Sequence, residues 1–296
     1  MTRDMFPEAV TAMRAAMDAP LADKIAMSIQ LLRHYEPLAL KLSPDGYWLA
    51  YSGGKDSDVI LQLAKLAGVK YKAVYNVTTL DPPELTRYIR REHKEVTWNL
   101  PKISMLRMFL ESAKGPPTRL ARWCCQVYKE QGGNGTVKII GVRAAESPRR
   151  AATWKQYTVH RSGDEHGSVI CPALYWTDAD VWAFHRQQGI PHCELYDEGW
   201  TRLGCIGCPL AGPINQRKEF DRWPKFEAAW KRAFEAYWNR WYGVPTLRGK
   251  RRYFEDFGSW QGLWDWWISG KRKDDGDPCQ IKLMYTNAPD DEDREP

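Results

Sequence analysis

The sequence lacks any long run of apolar residues, and this absence excludes several classes of protein. No stretch of its 296 residues approaches the about 20 apolar residues that a helix needs to cross a bilayer. The opening stretch, MTRDMFPEAV, contains Asp4 and Glu8 and no apolar core, so it does not resemble a secretory signal peptide. We therefore expect a cytoplasmic protein without a membrane partner.

The cysteine content is also low for an extracellular scaffold. Seven cysteines in a chain of this length, without a signal peptide, argue against a disulfide framework. The sequence does contain 43% hydrophobic residues, 15 tryptophans and a net charge of +6. This composition predicts a sizeable core and favours an anionic partner such as a nucleotide, phosphate or nucleic acid, although a slightly basic soluble enzyme would carry the same charge.

Hydrophobic periodicity predicts an α/β fold. Residues 5–40 have helical spacing, and five strands are predicted in the segments GYWLAYS, KYKAVYNVTT, EVTWNL, TVKIIGVR and SVICPALYW. Helical segments separate the strands; one ends at Gly68, and another is capped by Thr177 or Asp178. Strands that alternate with helices predict a mainly parallel twisted sheet with helices on both faces, which binds ligands beyond the carboxyl ends of its strands.

Changes of composition along the chain predict four parts. A helical segment over residues 1–40 precedes an α/β domain over 41–212. A helical extension rich in Trp and Arg follows over 213–270, and an acidic tail over 271–296 is expected to be mobile.

The segment YSGGKDSDV joins the first predicted strand to a helix and has the composition of a phosphate-binding loop. Gly53 and Gly54 allow a turn that exposes backbone N–H groups, and the following helix offers its positive N-terminal end to an anion. Ser52, Lys55 and Ser57 add side-chain donors. The spacing differs from the Walker A pattern, and a short Gly-Gly-Lys turn also has purely structural uses.

This loop and three later motifs resemble one family. SGGKDS is similar to the PP-loop of the ATP-pyrophosphatase superfamily, which includes the phosphoadenosine-phosphosulfate (PAPS) reductase family, and NVTTLDPPEL, GVRAAESPRR and GCIGCP follow in the family's order. The resemblance implies an adenine nucleotide alpha hydrolase-like fold. The implied ligand is ATP, with or without Mg²⁺, or a sulfonucleotide. The implied nucleotide-binding residues are Ser52, Gly53, Gly54, Lys55, Asp56, Ser57, Thr78, Thr79, Arg143, Arg149 and Arg150, and Lys55 and Asp56 would also be catalytic.

Two of these assignments have structural alternatives. The family often has Asp-Thr-Gly after its second strand, whereas this sequence reads Thr-Thr-Leu-Asp-Pro-Pro, and Asp81 could equally cap the next helix. The arginines at positions 143–150 could form a solvated basic turn.

Four cysteines lie in two local pairs. Cys124 and Cys125 are adjacent, and Cys205 and Cys208 form a Cys-x-x-Cys turn. Such thiolates can bind an iron–sulfur cluster or tetrahedral zinc, or they can be buried or redox-active thiols, although adjacent cysteines are unusual for structural zinc. The pattern resembles the [4Fe-4S] ligand set of adenylyl-sulfate reductases and related sulfur-transfer enzymes, which implies that the four cysteines hold such a cluster within the 41–212 domain.

The remaining cysteines have other expectations. Cys171 and Cys193 are expected to be small buried side chains. In sulfonucleotide reductases a C-terminal cysteine within a Glu-Cys-Gly motif attacks the substrate's sulfur, and Cys279 is the candidate nucleophile here. It lacks that glutamate and glycine, and the neighbouring Asp275 and Asp277 would raise the pKa of its thiol.

The sequence therefore leaves three functions open. The favoured one is ATP-dependent sulfur transfer to a nucleic acid or small acceptor, which requires a sulfur donor. The basic composition and the Trp/Arg-rich extension suit a nucleic acid, although such tryptophans are more often core residues. The second is reduction of PAPS or adenylyl sulfate with a thioredoxin-like reductant, and the third is a non-enzymatic nucleotide and cluster sensor. The sequence does not indicate an oligomeric state.

Overall fold

A computed structural model describes residues 15–159 and 167–271 and divides them between two compact units. The first unit takes the chain up to Val77, Pro83–Leu100 and Gln131–Leu203. The second takes Thr78–Pro82, Pro101–Glu130 and the chain from Gly204 onward. The predicted division at residues 40, 212 and 270 stays a prediction.

The first unit contains a six-stranded sheet within the described ranges. Its order is β3-β2-β1-β4-β6-β5, and every pair is parallel except β5 with β6. The strands are β1 Tyr47–Tyr51, β2 Tyr71–Asn76, β3 Thr97–Asn99, β4 Val137–Ile139, β5 Tyr157–Val159 and β6 Ser168–Ile170. Because chain order reverses at β1, with β2 on one side and β4 on the other, the loop after β1 lies at a switch point of the sheet.

Ten α-helices with defined bounds accompany these strands in the described ranges. They are α1 Leu21–Leu42, α2 Lys55–Ala67, α3 Pro83–Glu92, α4 Met105–Glu111, α5 Trp123–Tyr128, α6 Pro148–Thr153, α7 Asp178–Gln188, α8 Pro213–Arg222, α9 Pro224–Trp241 and α10 Trp260–Ser269. Short 3-10 helices cover Ala144–Glu146, Glu194–Tyr196, Pro209–Ala211 and Tyr253–Phe257. None of the helices described is long and apolar enough to cross a membrane.

The predicted α/β class is confirmed, with one strand added. The five predicted strands form as β1, β2, β3, β4 and β6, and α2 ends as expected at Gly68, whose φ is +69°. Strand β5 was not predicted from the sequence, because its three residues have no apolar run and its place depends on antiparallel pairing with β6. Tyr157 strengthens that pairing through its hydroxyl, which lies 3.0 Å from Ser168 Oγ.

The second unit has an aromatic core. Phe109 of α4 stacks on Tyr237 of α9 at 4.7 Å between ring centroids and meets Phe234 edge-on at 5.2 Å. Trp230 and Trp267 pack 4.9 Å apart, and both are buried. Many tryptophans of the helical extension are therefore core residues, and aromatic burial of this size dominates the stability of a small helical unit.

Candidate functional site

The loop after β1 is shaped by its two glycines. Gly53 has a φ of +73°, and a Cβ there would lie 2.7 Å from Ile89 and 2.8 Å from Leu85 on α3. Only glycine allows both this backbone geometry and this close approach. Gly54 is the N-cap of α2, so the N–H groups in the first turn of that helix point toward the loop.

Hydroxyl groups surround this helix start. Ser57 donates from Oγ to the carbonyl oxygen of Gly54 at 2.7 Å, and Ser52 Oγ lies 3.3 Å from Ser57 Oγ. The backbone N–H of Lys55 donates to the hydroxyl of Tyr196 at 3.0 Å, and His185 Nε2 lies 2.9 Å from the carbonyl oxygen of Lys55. The loop therefore presents two serine hydroxyls and the N-terminal turn of a helix to an anion. The Tyr196 hydroxyl accepts a hydrogen bond from one N–H group of that turn, that of Lys55.

Four charged side chains lie beside the loop and balance one another. Arg143 is buried, and it donates from Nε to Asp56 Oδ1 at 2.6 Å and from Nη2 to Asp178 Oδ1 at 2.5 Å. Lys55 Nζ lies 3.7 Å from Asp56 and 3.6 Å from Asp178, and it donates to the carbonyl oxygen of Thr201 at 3.2 Å. Partial burial acts to raise the pKa of Asp178, but Lys55 and Arg143 lower it below its ordinary value.

The other two predicted arginines lie on α6. Arg149 is exposed, whereas Arg150 is partly buried and pairs with Glu146. Arg143 is therefore the buried cation of this motif, and its neighbours belong to the surface of the first unit.

A buried carboxyl group lies in the first turn of α2, next to Ser57. Asp58 accepts hydrogen bonds from the hydroxyls of Tyr51 at 2.5 Å and Tyr88 at 2.9 Å. His93 Nε2 lies 3.4 Å from Asp58 and 3.0 Å from the Tyr88 hydroxyl. Burial raises the pKa of Asp58 to about 7, although the two tyrosine hydrogen bonds act in the opposite direction. The side chain thus ties α2 to β1 and α3 beneath the loop.

This carboxyl group predicts a pH dependence of stability. Folded Asp58 keeps a proton that the unfolded chain releases above about pH 4, so its contribution to the unfolding free energy falls as pH rises from about 4 to about 7. Relative to Asp58→Asn, which cannot titrate, wild-type protein should lose about 2–4 kcal/mol across that window. Urea unfolding at a series of pH values measures the difference.

Comparison with the variant is needed because His93 acts with the opposite sign. Burial lowers the pKa of His93, so its contribution is present at high pH and is lost as pH falls. Parallel pH profiles for wild type and Asp58→Asn would show that Asp58 is not protonated in the folded protein.

The predicted threonines belong to the second unit. Thr78 is buried, and its backbone N–H donates to Asp81 Oδ2 at 2.8 Å. Thr79 has a φ of +68°, and its hydroxyl accepts from the backbone N–H of Met105 at 3.0 Å. Asp81 thus stabilises the turn before α3. The Thr78 hydroxyl accepts a hydrogen bond from the Cys205 thiol at 3.4 Å.

The four predicted metal ligands also lie in the second unit. Hydrogen bonding to Cys125 and burial raise the pKa of Cys124, and the charges of Cys205 and Cys208 add to this effect. The pKa of Cys125 is lowered, first by its hydrogen bond with Cys124 and then by Arg122, whose Nη2 lies 3.5 Å from the sulfur. Within the adjacent pair, Cys124 therefore favours the thiol and Cys125 favours the thiolate.

Lys129 supplies positive charge to this cysteine group. Its side chain is largely exposed, yet the charges of Cys205, Cys208 and Asp81 raise its pKa above the ordinary value. Burial raises the pKa of Cys205 to about 11, while Lys129 acts to lower it.

The donor chemistry of the cysteine group suits a soft metal or an iron–sulfur cluster. Four thiols with cations nearby are the ligand type that such groups require. In residues 15–159 and 167–271, however, no three Cys, His, Asp or Glu side chains are close enough to hold a metal ion. The chemistry therefore fits a cluster, whereas the arrangement described does not form a coordination site.

The helical extension holds the Cys-x-x-Cys turn in place. Trp230 of α9 donates from its indole N–H to the carbonyl oxygen of Ile206 at 3.1 Å. Gln216 of α8 donates to the carbonyl oxygen of Gly207 at 2.8 Å, and the Gly207 N–H donates to Glu219 at 2.7 Å. Three side chains of the extension thus fix the backbone between Cys205 and Cys208.

This packing predicts that Gly207→Ala destabilises the second unit. Gly207 has a φ of +78°, and a Cβ there would lie 2.6 Å from Phe220 and 2.7 Å from Trp230. We expect a loss of about 2–4 kcal/mol in unfolding free energy, from backbone strain and overpacking together. Gly199→Ala is the control, since its φ is +86° but nothing lies within 4 Å, so it should lose only about 1 kcal/mol. Equal losses measured by urea unfolding would rule out the packing contribution.

The structure therefore groups the predicted site residues in two places. The loop residues and Arg143 lie in the first unit, whereas Thr78, Thr79 and the four cysteines lie in the second. Cys279 lies outside the described residues. Cys171 and Cys193 are fully buried, as expected.

Three residues of the loop site were assigned other roles or missed from the sequence. Asp178 was considered as a helix cap, but Thr177 caps α7, and Asp178 binds Arg143. Tyr196 and His185 contact the backbone of Lys55, although no motif marked them. Both residues are more than 100 positions from the loop in the sequence, so no motif or spacing linked them to it. Only the folded unit brings them to the loop.

Comparison with known proteins places this geometry in a family. The family model for the phosphoadenosine phosphosulfate reductase domain matches residues 46–211, more than half of the chain. An uncharacterised protein of Methanocaldococcus jannaschii is 28% identical over 235 residues, which cover 74% of this chain and 45% of that protein. An adenosine 5'-phosphosulfate reductase of Staphylococcus epidermidis is 34% identical over 90 residues, which cover 29% of this chain and 36% of that enzyme.

Solved structures resemble the chain more distantly. The phosphoadenylyl-sulfate reductase of Candida auris in a phosphate complex has a TM-score of 0.45 and 15% identity, covering 69% of this chain and 98% of that one. The FMN adenylyltransferase of Candida glabrata in complex with ATP has a TM-score of 0.45 and 18% identity, covering 67% and 69%.

The chain spans about half the length of the two curated relatives that it matches over most of its own length. The family match includes the glycine loop, the Arg143 motif and the four cysteines. The chain belongs to the phosphoadenosine phosphosulfate reductase domain family.

Proposed function

We propose that this chain is a cytoplasmic, adenylating enzyme of sulfur metabolism, which binds ATP at the loop over residues 52–57 and activates an acceptor for sulfur transfer. The observation that carries the choice of ATP is the pair of carboxylates, Asp56 and Asp178, beside that loop. They neutralise Lys55 and Arg143, so these four side chains offer no net positive charge to an anion.

A ligand that brings its own cation suits this arrangement. Mg²⁺ binds ATP phosphates and typically takes one or two protein carboxylates as further ligands. Asp56 and Asp178 are the residues that would contact it, and Lys55 and Arg143 would then be free to meet phosphate oxygens. A sulfonucleotide without a metal would instead be repelled by the two carboxylates, because it is also an anion.

The residues of the loop have separate roles in this proposal. The N–H groups of the first turn of α2 and the hydroxyls of Ser52 and Ser57 bind the phosphates. An acceptor oxygen attacks the α-phosphorus, the bond to the bridging oxygen breaks, and pyrophosphate leaves with the electron pair. The acceptor's proton passes to solvent. Lys55 stabilises the negative charge that develops on the leaving pyrophosphate. A sulfur donor then displaces AMP from the activated acceptor.

The proposal assigns a [4Fe-4S] cluster to Cys124, Cys125, Cys205 and Cys208. Their mutual effect on one another's pKa supports this assignment, as do the nearby cations of Arg122 and Lys129. When bound, the cluster would supply an iron atom able to hold sulfide. The protein's own part is to keep the Cys-x-x-Cys turn rigid and to supply the cations of Arg122 and Lys129.

A second candidate is reduction of adenylyl sulfate or PAPS. Several relatives named adenosine 5'-phosphosulfate reductase, from Staphylococcus and Bacillus, support it. In that reaction the thiolate of Cys279 would attack the sulfate sulfur, the nucleotide would leave, and a thioredoxin-like dithiol would release sulfite while becoming a disulfide.

A product assay separates the two candidates. Protein purified without oxygen is incubated with ATP, Mg²⁺ and single-stranded nucleic acid, and in parallel with adenylyl sulfate or PAPS and a dithiol. Pyrophosphate release from ATP supports the proposal. Sulfite release from a sulfonucleotide would contradict it, and loss of that activity in Cys279→Ser would identify the nucleophile.

A further inference from the structure

Two loops of the second unit carry positive charge without any acidic residue. The loop between α4 and α5 covers residues 112–122, and the segment after α9 covers residues 242–252. We call them the first and second basic loops. Their exposed cations are Lys114, Arg119 and Arg122 in the first, and Arg248, Lys250 and Arg251 in the second.

Buried arginine and tryptophan side chains hold the backbone of these loops in place. Arg252 donates to the carbonyl oxygen of Val244 at 2.8 Å in its own loop and to that of Ala113 at 3.2 Å in the other. Trp267 donates from its indole N–H to the carbonyl oxygen of Pro117 at 2.6 Å. Because these donors meet backbone oxygens, both loops are held in shape whatever their exposed side chains do, and a preformed surface loses little entropy on binding.

The surrounding charges show that this is a local feature. Glu255 and Asp256 follow the second basic loop, and both pair with Arg251. Helix α9, in contrast, alternates charges along its length, and Lys231 pairs there with Glu227 at 2.7 Å. The concentration of cations therefore belongs to the two loops rather than to the whole unit.

The same two loops also contain exposed apolar side chains. Tyr242 is 55% exposed and stacks on Trp238 at 5.1 Å, and Leu120 is 55% exposed. A nucleobase can extend such an aromatic stack, while arginine and lysine side chains bind the phosphates on either side. A lipid surface would instead call for a continuous apolar helix face. Reading a duplex would call for a helix or strand ribbon in a groove.

We propose that the two basic loops bind single-stranded nucleic acid as the acceptor. The first loop ends at Arg122, whose Nη2 lies 3.5 Å from the Cys125 sulfur, so a bound strand would lie beside the cysteine group. The role of the nucleic acid as the sulfur acceptor rests on the proposed function. Its binding to the two basic loops does not require ATP turnover.

Fluorescence anisotropy with a labelled oligothymidylate or oligouridylate of about 16 nucleotides tests the proposal on the full chain without ATP. The test variant is Arg119→Glu with Lys250→Glu, which changes one cation in each loop. The control is Lys225→Glu with Arg232→Glu, which makes the same charge change on α9. We expect the test variant to lose at least about tenfold in affinity. The slope of its log K against log salt concentration should be shallower by about 1.4, and the control should stay close to wild type.

Several results would overturn the inference. They are no binding of either oligonucleotide by wild-type protein, equal losses in the two variants, and binding of phosphatidylserine vesicles without oligonucleotide binding. Pyrophosphate release is measured on the same variants with a small acceptor. If turnover continues while oligonucleotide binding is absent, only the surface fails; if oligonucleotide binds but no pyrophosphate forms, only the proposed reaction fails.

Discussion

Lys55→Met is expected to lower kcat/KM for pyrophosphate release from ATP by about 10²-fold to 10³-fold, the usual effect of removing one preorganised charged donor. Lys55 is buried, and its ammonium lies within 3.7 Å of both carboxylates beside the loop. Methionine keeps the length of the side chain but removes the ammonium group that stabilises the negative charge on the leaving pyrophosphate. Steady-state kinetics with the Mg²⁺–ATP complex measures the effect.

Lys72→Met provides the matched control. Lys72 is an exposed lysine of β2 that pairs with Asp45 at 3.6 Å, and such surface pairs contribute about 0–1 kcal/mol to stability. It should retain wild-type kinetics. A Lys55→Met protein with a normal thermal midpoint and activity within about threefold of wild type would remove Lys55 from the catalytic step.

Cys205→Ser is expected to lower the iron content of anaerobically purified protein from about four atoms per chain to below about one, since a cluster that loses a thiolate ligand is seldom retained. Cys205 is 5% exposed, and its turn is fixed by Trp230 of the helical extension. Iron analysis, acid-labile sulfide and the visible absorption spectrum measure the change. Cys125→Ser should give the same result from the other local pair.

Cys193→Ala is the control for this experiment. Cys193 is fully buried in the first unit, where burial raises the pKa of its thiol to about 11, so it is not a ligand in this account. It should keep the full iron content. Stoichiometric zinc in wild-type protein, or unchanged iron in both serine variants, would contradict the assignment of the four cysteines.

Local patterns predicted much of the fold and of the loop. Alternating apolar segments marked five strands, and the Gly53-Gly54 pair marked the turn between β1 and α2, because each depends on neighbouring residues alone. The strand β5 depends on antiparallel pairing with β6 and has no pattern of its own. It could be recognised only after the sheet was assembled.

The charge balance beside the loop depends on residues far apart in the sequence. Asp56, Arg143 and Asp178 follow three different strands, β1, β4 and β6, so the sequence alone did not show that Arg143 is paired with carboxylates. The tryptophans raised a similar difficulty. Their number suggested either a core or a nucleic-acid surface, whereas Trp230 and Trp267 are buried and also donate to carbonyl oxygens of the cysteine turn and the first basic loop.

We propose that Asp56 and Asp178 adapt the loop to ATP with its metal rather than to a sulfonucleotide. Titration calorimetry of the wild-type protein with ATP, with and without Mg²⁺, and with adenylyl sulfate and PAPS tests it most directly. We predict that Mg²⁺ tightens ATP binding by at least about tenfold and that the Mg²⁺–ATP complex binds more tightly than either sulfonucleotide. Tighter binding of a sulfonucleotide, with no effect of Mg²⁺ on ATP, would contradict it.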